Sequence, residues 1–302
     1  MSTVLPRRRR ARPAPYLLLV PAIVILLLGM GYPVVWQIVT SFQDFGLAQQ
    51  FGKPADWIGL GNYAKLATDP QFWTVVGRSL AFCIASALAT VVLGTAFAML
   101  MTRVPKVVRL TLQISLLLAW SMPIVAAMTV WIWLFDRRRG AVNYLLGLLG
   151  IDMHRYDWLS SPWTFFLVAG IIVVWMSVPF VAFSVYAGLT QVSAEVLEAA
   201  QLDGANAWQR FRLVIAPLIA PVLSIVLVLN LIWDLRVFTH FTFLQDAGGK
   251  GSDFDVLGTY IYKVGAGAGQ FGMSAAVSIL TLAITILLSW FYVRQVIRED
   301  RA

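Results

Sequence analysis

Charge is what this sequence has least of. Of 302 residues only 13% are Asp, Glu, Lys or Arg, while 59% are hydrophobic. A soluble domain carries about a quarter charged and about half apolar residues. The shortage excludes an ordinary soluble domain and predicts an integral membrane protein. Cysteine is scarcer still. Cys83 stands alone inside an apolar run, which excludes an intramolecular disulfide and a cysteine zinc cluster. The two histidines, His154 and His240, are too far apart in sequence for a local metal pair, so no metal site is expected. Phosphate-binding loops are lacking too. Gly248-Gly-Lys-Gly-Ser252 has neither the glycine spacing nor the Lys-Ser/Thr pair of a Walker loop. Gly267 to Gly272 spells G-x-G-x-x-G, but an apolar run of membrane length follows it rather than a βαβ unit. No Ser/His/Asp or carboxylate pair stands in a catalytic arrangement. The chain is therefore expected to be no enzyme and to hold no cofactor. Any energy it uses comes from elsewhere.

What is present is a series of apolar runs. The first starts at Tyr16 and continues past Pro33 toward Val39, too long for a signal-peptide core. Five more lie near Leu80–Met101, Leu110–Phe135, Trp163–Leu189, Leu213–Leu235 and Met273–Val293. Each is long enough to cross about 30 Å of hydrocarbon as a helix, and none alternates as a barrel strand would. The expected fold class is therefore all-α integral membrane with six spans. Residues 1–15 form a basic N-terminus, 16–293 the membrane domain and 294–302 a tail. In the second span Ser86, Thr90, Gly94 and Ala98 recur every fourth place, so one helix face admits a close neighbour. Asn143 to Leu149 suggests a short surface helix.

Basic residues set the orientation. Lys and Arg outnumber acids 23 to 15, an excess that positive membrane loops explain without nucleic acid. Five arginines lie between Arg7 and Arg12. With the N-terminus inside, segments 1–15, 102–109, 190–212 and 294–302 hold 13 basic residues in 55 positions. The outer segments 43–78, 136–162 and 236–271 hold 10 in 99. Density favours both termini in the cytoplasm. Arg137, Arg138 and Arg139 fall on the wrong side of this rule. Closing a helix end and pairing within an oligomer are both open readings of them.

Between the fourth and fifth runs lies a polar stretch, residues 191–212. Ser193 is placed to cap a helix, with Glu195 against its N-terminal dipole. Gly204 can take the left-handed conformation that ends it, and Asn206 can cap a second helix carrying Trp208, Phe211 and Ile215. The residues permit either a helix–turn–helix at the membrane surface or an interfacial loop. Polar groups inside the spans are costly and face a partner or a cavity. Asn230 and Asp234 lie one turn apart with Trp233 beside them. Trp175 and Ser177 stand close to Phe180. A carboxylate, a carboxamide and aromatic rings suit a sugar, whose hydroxyls take hydrogen bonds and whose faces stack on rings. Interhelical glue, or Asp234 reaching Arg236, is the other reading.

Glu198-Ala-Ala-Gln-Leu-Asp203-Gly204, followed by Trp208, Phe211 and Pro217, resembles the EAA loop of permease subunits in binding-protein-dependent ABC importers. Val214 and Ala216 stand where that pattern has Ile and Leu. Trp57-Ile-Gly-Leu-Gly-Asn62-Tyr63, Leu17 to Pro21, Gly31-Tyr32-Pro33 and Leu257 to Tyr262 are similar to the MalF/UgpA-like sugar branch. Leu244 to Lys250 departs from it, ending without the usual Gly-Gly-Pro. The resemblance implies a type I ABC importer permease fold with a cytoplasmic EAA coupling helix. Glu198, Ala199, Ala200, Asp203 and Gly204 would couple it to two separate cytoplasmic ATPase subunits, which bind the ATP. A second permease, an extracytoplasmic binding protein, membrane lipid and a di- or oligosaccharide complete the implied partners. Asn230, Trp233, Asp234, Trp175, Ser177 and Phe180 are the substrate-site candidates. A glycerol-phosphate or polyamine importer of the same architecture is the alternative.

Overall fold

The computed structural model describes residues 14–153 and 155–299. Arg7 to Arg12, His154 and the last three tail positions lie outside the described residues. The chain enters through α1 (Ala14–Leu26), a π-helical turn at Leu27–Gly31 and α2 (Tyr32–Ser41), a run of membrane length over Leu18–Ser41. A two-residue antiparallel ladder, β1 (Gln43–Asp44) with β2 (Asp56–Trp57), then brackets α3 (Leu47–Gln50). In α4 (Gly61–Thr68) buried Asn62 donates to the carbonyls of Ser41 and Gln43 at 2.9 and 3.0 Å. Tyr63 meets Ser41 Oγ at 2.8 Å. The Asn-Tyr pair thus staples the end of the first span.

Next, α5 (Pro70–Arg103) begins ten residues before the expected Leu80. Asp69 accepts from the Gln71 N–H at 2.9 Å and Pro70 sits at N1, which needs no donor. The next run corrects an expectation. Leu110–Phe135 is not one straight helix but α6 (Lys106–Ser121) and α7 (Ile124–Leu134), bent by 102°. Pro123 removes a backbone donor, and Met122 before it takes an extended ψ of 126°. Among the described residues five helices are long and apolar enough to cross a membrane, or six if this bent pair counts as one span.

Beyond α8 (Ala141–Leu148), matching the expected surface helix, α9 (Pro162–Leu189) runs back against α5. Ser86, Thr90, Gly94 and Ala98 are all buried there. Membrane helices gain no hydrophobic drive from one another, so close backbone approach through such small residues carries the pairing. A short α10 (Ala194–Leu202) and α11 (Ala207–Arg210) lead through a π turn at Phe211–Ile215 into α12 (Ala216–Leu235). The second surface helix is therefore the start of the fifth span, continuous over Ala207–Leu235, not a separate element. After α13 (Thr239–Ala247) and α14 (Leu257–Tyr262), α15 (Phe271–Glu299) packs on α2 and takes in most of the expected tail.

Connections 42–69, 136–161 and 236–270 gather at one end. Arg78 donates to the carbonyls of Ser252 and Asp255 at 3.0 and 3.2 Å, and the Leu257 N–H donates to Ser79 Oγ at 2.8 Å. Buried Asp255 receives Lys263 Nζ at 2.7 Å and Gln245 Nε2 at 3.1 Å. Beneath them, Phe82, Phe165, Phe241 and Phe254 pack edge to face, as ring quadrupoles favour. Arg138 and Arg139 donate backbone N–H groups to Asp136 Oδ1 at 2.9 and 2.7 Å, closing the end of α7. Those bonds hold the Asp136 carboxyl below its usual range. Closure of the helix end is thus made by the backbone of Arg138 and Arg139.

Candidate functional site

Two places bear on the residues singled out by the sequence. At the end opposite the gathered connections, α10 and α11 form an elbow. Gly204 has φ +81°, the left-handed region that glycine enters freely. The Gly204 and Ala205 N–H groups donate to Gln201 and Ala200 carbonyls at 3.1 Å each, terminating α10. Asn206 accepts from the Gln209 N–H at 2.9 Å, and Gln209 Oε1 accepts from the Asn206 N–H at 2.8 Å. Arg210 reaches back to Gln201 Oε1 at 2.9 Å and braces the two helices. Ser193 occupies the cap position of α10, yet its side chain caps nothing. Leu197 and Ala200 are half-buried beneath the elbow, while Glu198, Ala199, Asp203 and Gly204 are exposed. Leu202 is 89% exposed, a large apolar side chain with nothing over it.

The second place is a cavity of about 1230 Å³ between α5, α6 and α9. Its wall is largely apolar, with Phe82, Phe97, Trp131 and Trp175 along it. Arg78 and Asp253 lie at one end, 3.9 Å apart, so the guanidinium there is answered by a carboxylate.

The six substrate-site candidates fall into four groups. Trp175 lines the cavity and meets Trp131 edge-on, ring centroids 5.5 Å apart. Phe180 and Trp233 pair with centroids 5.2 Å apart, and Trp120 joins them at 6.3 Å from Phe180. Ser177 is half-buried and does not line the cavity. Asn230 and Asp234 are buried, on the side of α12 that meets α5, where Cys83 Sγ donates to the Leu231 carbonyl at 3.1 Å. Asn230 Nδ2 donates to the Val226 carbonyl at 2.7 Å, leaving Asn230 Oδ1 and Asp234 Oδ2 without partners. No ion pair joins Asp234 to Arg236 among the described residues.

His240 in α13 meets Met176 Sδ at 3.2 Å, and burial pushes its pKa down to about 4. It is a neutral packing residue. The sequence reading missed Trp131, Arg78 and Asp253. Only the fold brings an aromatic from α7 and a charge pair from two distant segments onto one cavity.

The chain is 39% identical over 289 residues to the diacetylchitobiose uptake system permease protein DasB of Streptomyces coelicolor, covering 95% of this chain and 88% of that one. It is 29% identical to the sulfoquinovosyl glycerol transport system permease protein SmoG of Agrobacterium fabrum, over 94% and 90% of the two chains. Among solved structures, a bacterial ABC transporter involved in import of the acidic polysaccharide alginate superposes with TM-score 0.80. That match is 24% identical and covers 94% of this chain and 95% of that one. The fold is accordingly that of type I ABC importer permeases. Residues 90–298 match the model of the binding-protein-dependent transport system inner membrane component, and the chain belongs to that family.

Proposed function

We propose that this chain is one of two permease halves that import a carbohydrate, a di- or oligosaccharide, across the plasma membrane of a prokaryote. Both termini face the cytoplasm, as the density of basic residues favours. An extracytoplasmic binding protein delivers the sugar at the end where the three connections gather. Two separate ATPase subunits bind ATP and receive the α10–α11 elbow, and the chain itself holds no cofactor. Similarity to a disaccharide-uptake permease across 95% of the chain carries this reading.

The geometry supports it in two ways. The exposed Leu202 and Ala199 flank a rigid, glycine-broken lever braced by Arg210 and Gln201, a shape suited to a groove on a partner. Trp175 and Trp131 offer ring faces in the cavity wall. Asn230 and Asp234 then supply hydrogen bonds when α12 shifts against α5 in the outward–inward cycle, around a site near mid-membrane. A phosphate cargo would want an unopposed cation, and the cavity's Arg78 is opposed by Asp253. A polyamine would want several carboxylates there.

The test is co-purification. Tagged chain extracted in mild detergent should bring down a second permease and an ATPase. Its ATP hydrolysis should rise when the sugar-loaded binding protein is added. A chain that purifies without any ATPase contradicts the reading.

A further inference from the structure

A second cleft, about 890 Å³, opens between α2, the β1–α3 segment and the start of α15. It shares no lining residue with the cavity beside α5. Its chemistry is also different. Gln37, Gln43 and Gln50 present carboxamides that make no hydrogen bond among the described residues, each able to donate and to accept. Trp36, 53% exposed, forms a platform, stacked with Tyr32 at 6.4 Å and 27° and held edge-on by Phe45 at 6.4 Å.

Thr40 gives an independent sign. Threonines in this chain's helices commonly return their hydroxyl to the carbonyl four residues back, as Thr74, Thr111, Thr129 and Thr281 do. Buried Thr40, Thr90 and Thr95 do not, and their Oγ1 atoms have no partner; of the three only Thr40, 5% exposed, stands in the wall of a cleft. A buried unpaired hydroxyl costs about 1–3 kcal/mol unless something occupies it. The lining carries a single charge, Lys53. A phosphate or sulfate would call for more cationic donors, and an apolar occupant would strand the carboxamides.

We propose that this cleft is a second saccharide subsite, which holds a neutral sugar ring on Trp36 with its hydroxyls bonded by Gln37, Gln43, Gln50 and Thr40. The assignment rests on the carbohydrate reading above, and adds a station at the end where connection 42–69 lies. The same hydroxyl chemistry is offered by a free sugar and by a glycolipid headgroup.

The experiment uses the whole assembly in nanodiscs, carrying Trp175→Ala to weaken the cavity. Binding of N,N′-diacetylchitobiose and maltose is read by equilibrium dialysis in phosphatidylcholine discs. Digalactosyl diacylglycerol discs form the glycolipid arm, read by saturation transfer from the headgroup. Adding Trp36→Ala or Gln50→Leu should weaken one of these bindings by about tenfold, a 1.4 kcal/mol change. Thr40→Val should weaken it too while the Tm stays level or rises. Competition between the free sugar and the glycolipid tells which source is held. Binding equal in all variants overturns the subsite, as does absence of binding in both arms. Exposed Gln50 tolerates its substitution in the fold, so a loss at Trp36 through misfolding leaves the test standing. If the wild-type assembly imports no carbohydrate, the carbohydrate reading itself fails. If it imports while the cleft variants bind and transport normally, only the subsite fails.

Discussion

Gly94 of α5 lies so close to Val181 of α9 that a Cβ on the glycine would stand 2.6 Å from Val181 Cγ1. Nothing that small can be replaced without moving one helix off the other. Gly94→Val should destabilise the α5–α9 pair by about 1–3 kcal/mol through overpacking. The Tm of the purified chain and its amount in the membrane should both fall. Gly77, with nothing within 4 Å of its notional Cβ, provides the control, and Gly77→Ala should leave both unchanged or slightly higher.

At the elbow the constraint is conformational and not steric. A Cβ at Gly204 would meet nothing within 4 Å, but its φ of +81° would be strained. A side chain there costs about 1–2 kcal/mol, roughly a tenfold shift in the population of the bent lever. Gly204→Val should assemble with its partners yet lose about that factor in ATP-driven uptake, with Gly204→Ala between it and wild type. Uptake at the wild-type rate would remove the lever role.

The unpaired oxygens of Asn230 and Asp234 separate packing from recognition. Exchanging a lone buried acid for an apolar residue of similar volume is commonly neutral or stabilising. Asp234→Leu should therefore hold or raise the Tm. If the carboxylate serves the cargo, uptake drops severalfold while the fold survives. A stable Asp234→Leu protein that transports normally assigns the residue to packing alone.

His240 sets a pH dependence. Its folded pKa, about 4, lies below the ordinary 6.5 because burial disfavours the imidazolium. The unfolded chain binds the proton first as pH falls, so His240's contribution is full above 6.5 and declines between 6.5 and 4. A Tm series across that window should slope downward toward acid, and His240→Gln should flatten the slope. Between pH 7 and 8 the two proteins should respond alike.

Much of the fold was readable because membrane burial leaves a plain mark. Long apolar runs, a four-residue stripe of small side chains and a glycine ahead of an Asn-capped helix each have one economical structure. The bend at Met122–Pro123 was not readable. Pro21, Pro179 and Pro221 sit inside helices that continue, so proline alone does not announce a break. What differs is the extended backbone of Met122, a tertiary choice. The substrate candidates were chosen by type and spacing, and spacing placed Asn230 and Asp234 on one face. Which neighbour that face meets depends on α5, more than a hundred residues earlier in sequence. The cleft beside Trp36 escaped for the same reason, since its carboxamides are ordinary surface glutamines until α15 folds against them.

The most direct test of the central claim is uptake by the reconstituted assembly in proteoliposomes, with ATP inside and the binding protein outside. Labelled diacetylchitobiose, glycerol 3-phosphate and spermidine are offered in parallel. The account predicts ATP-dependent accumulation of the sugar and none of the other two. Accumulation of glycerol 3-phosphate or spermidine with no sugar uptake would contradict it.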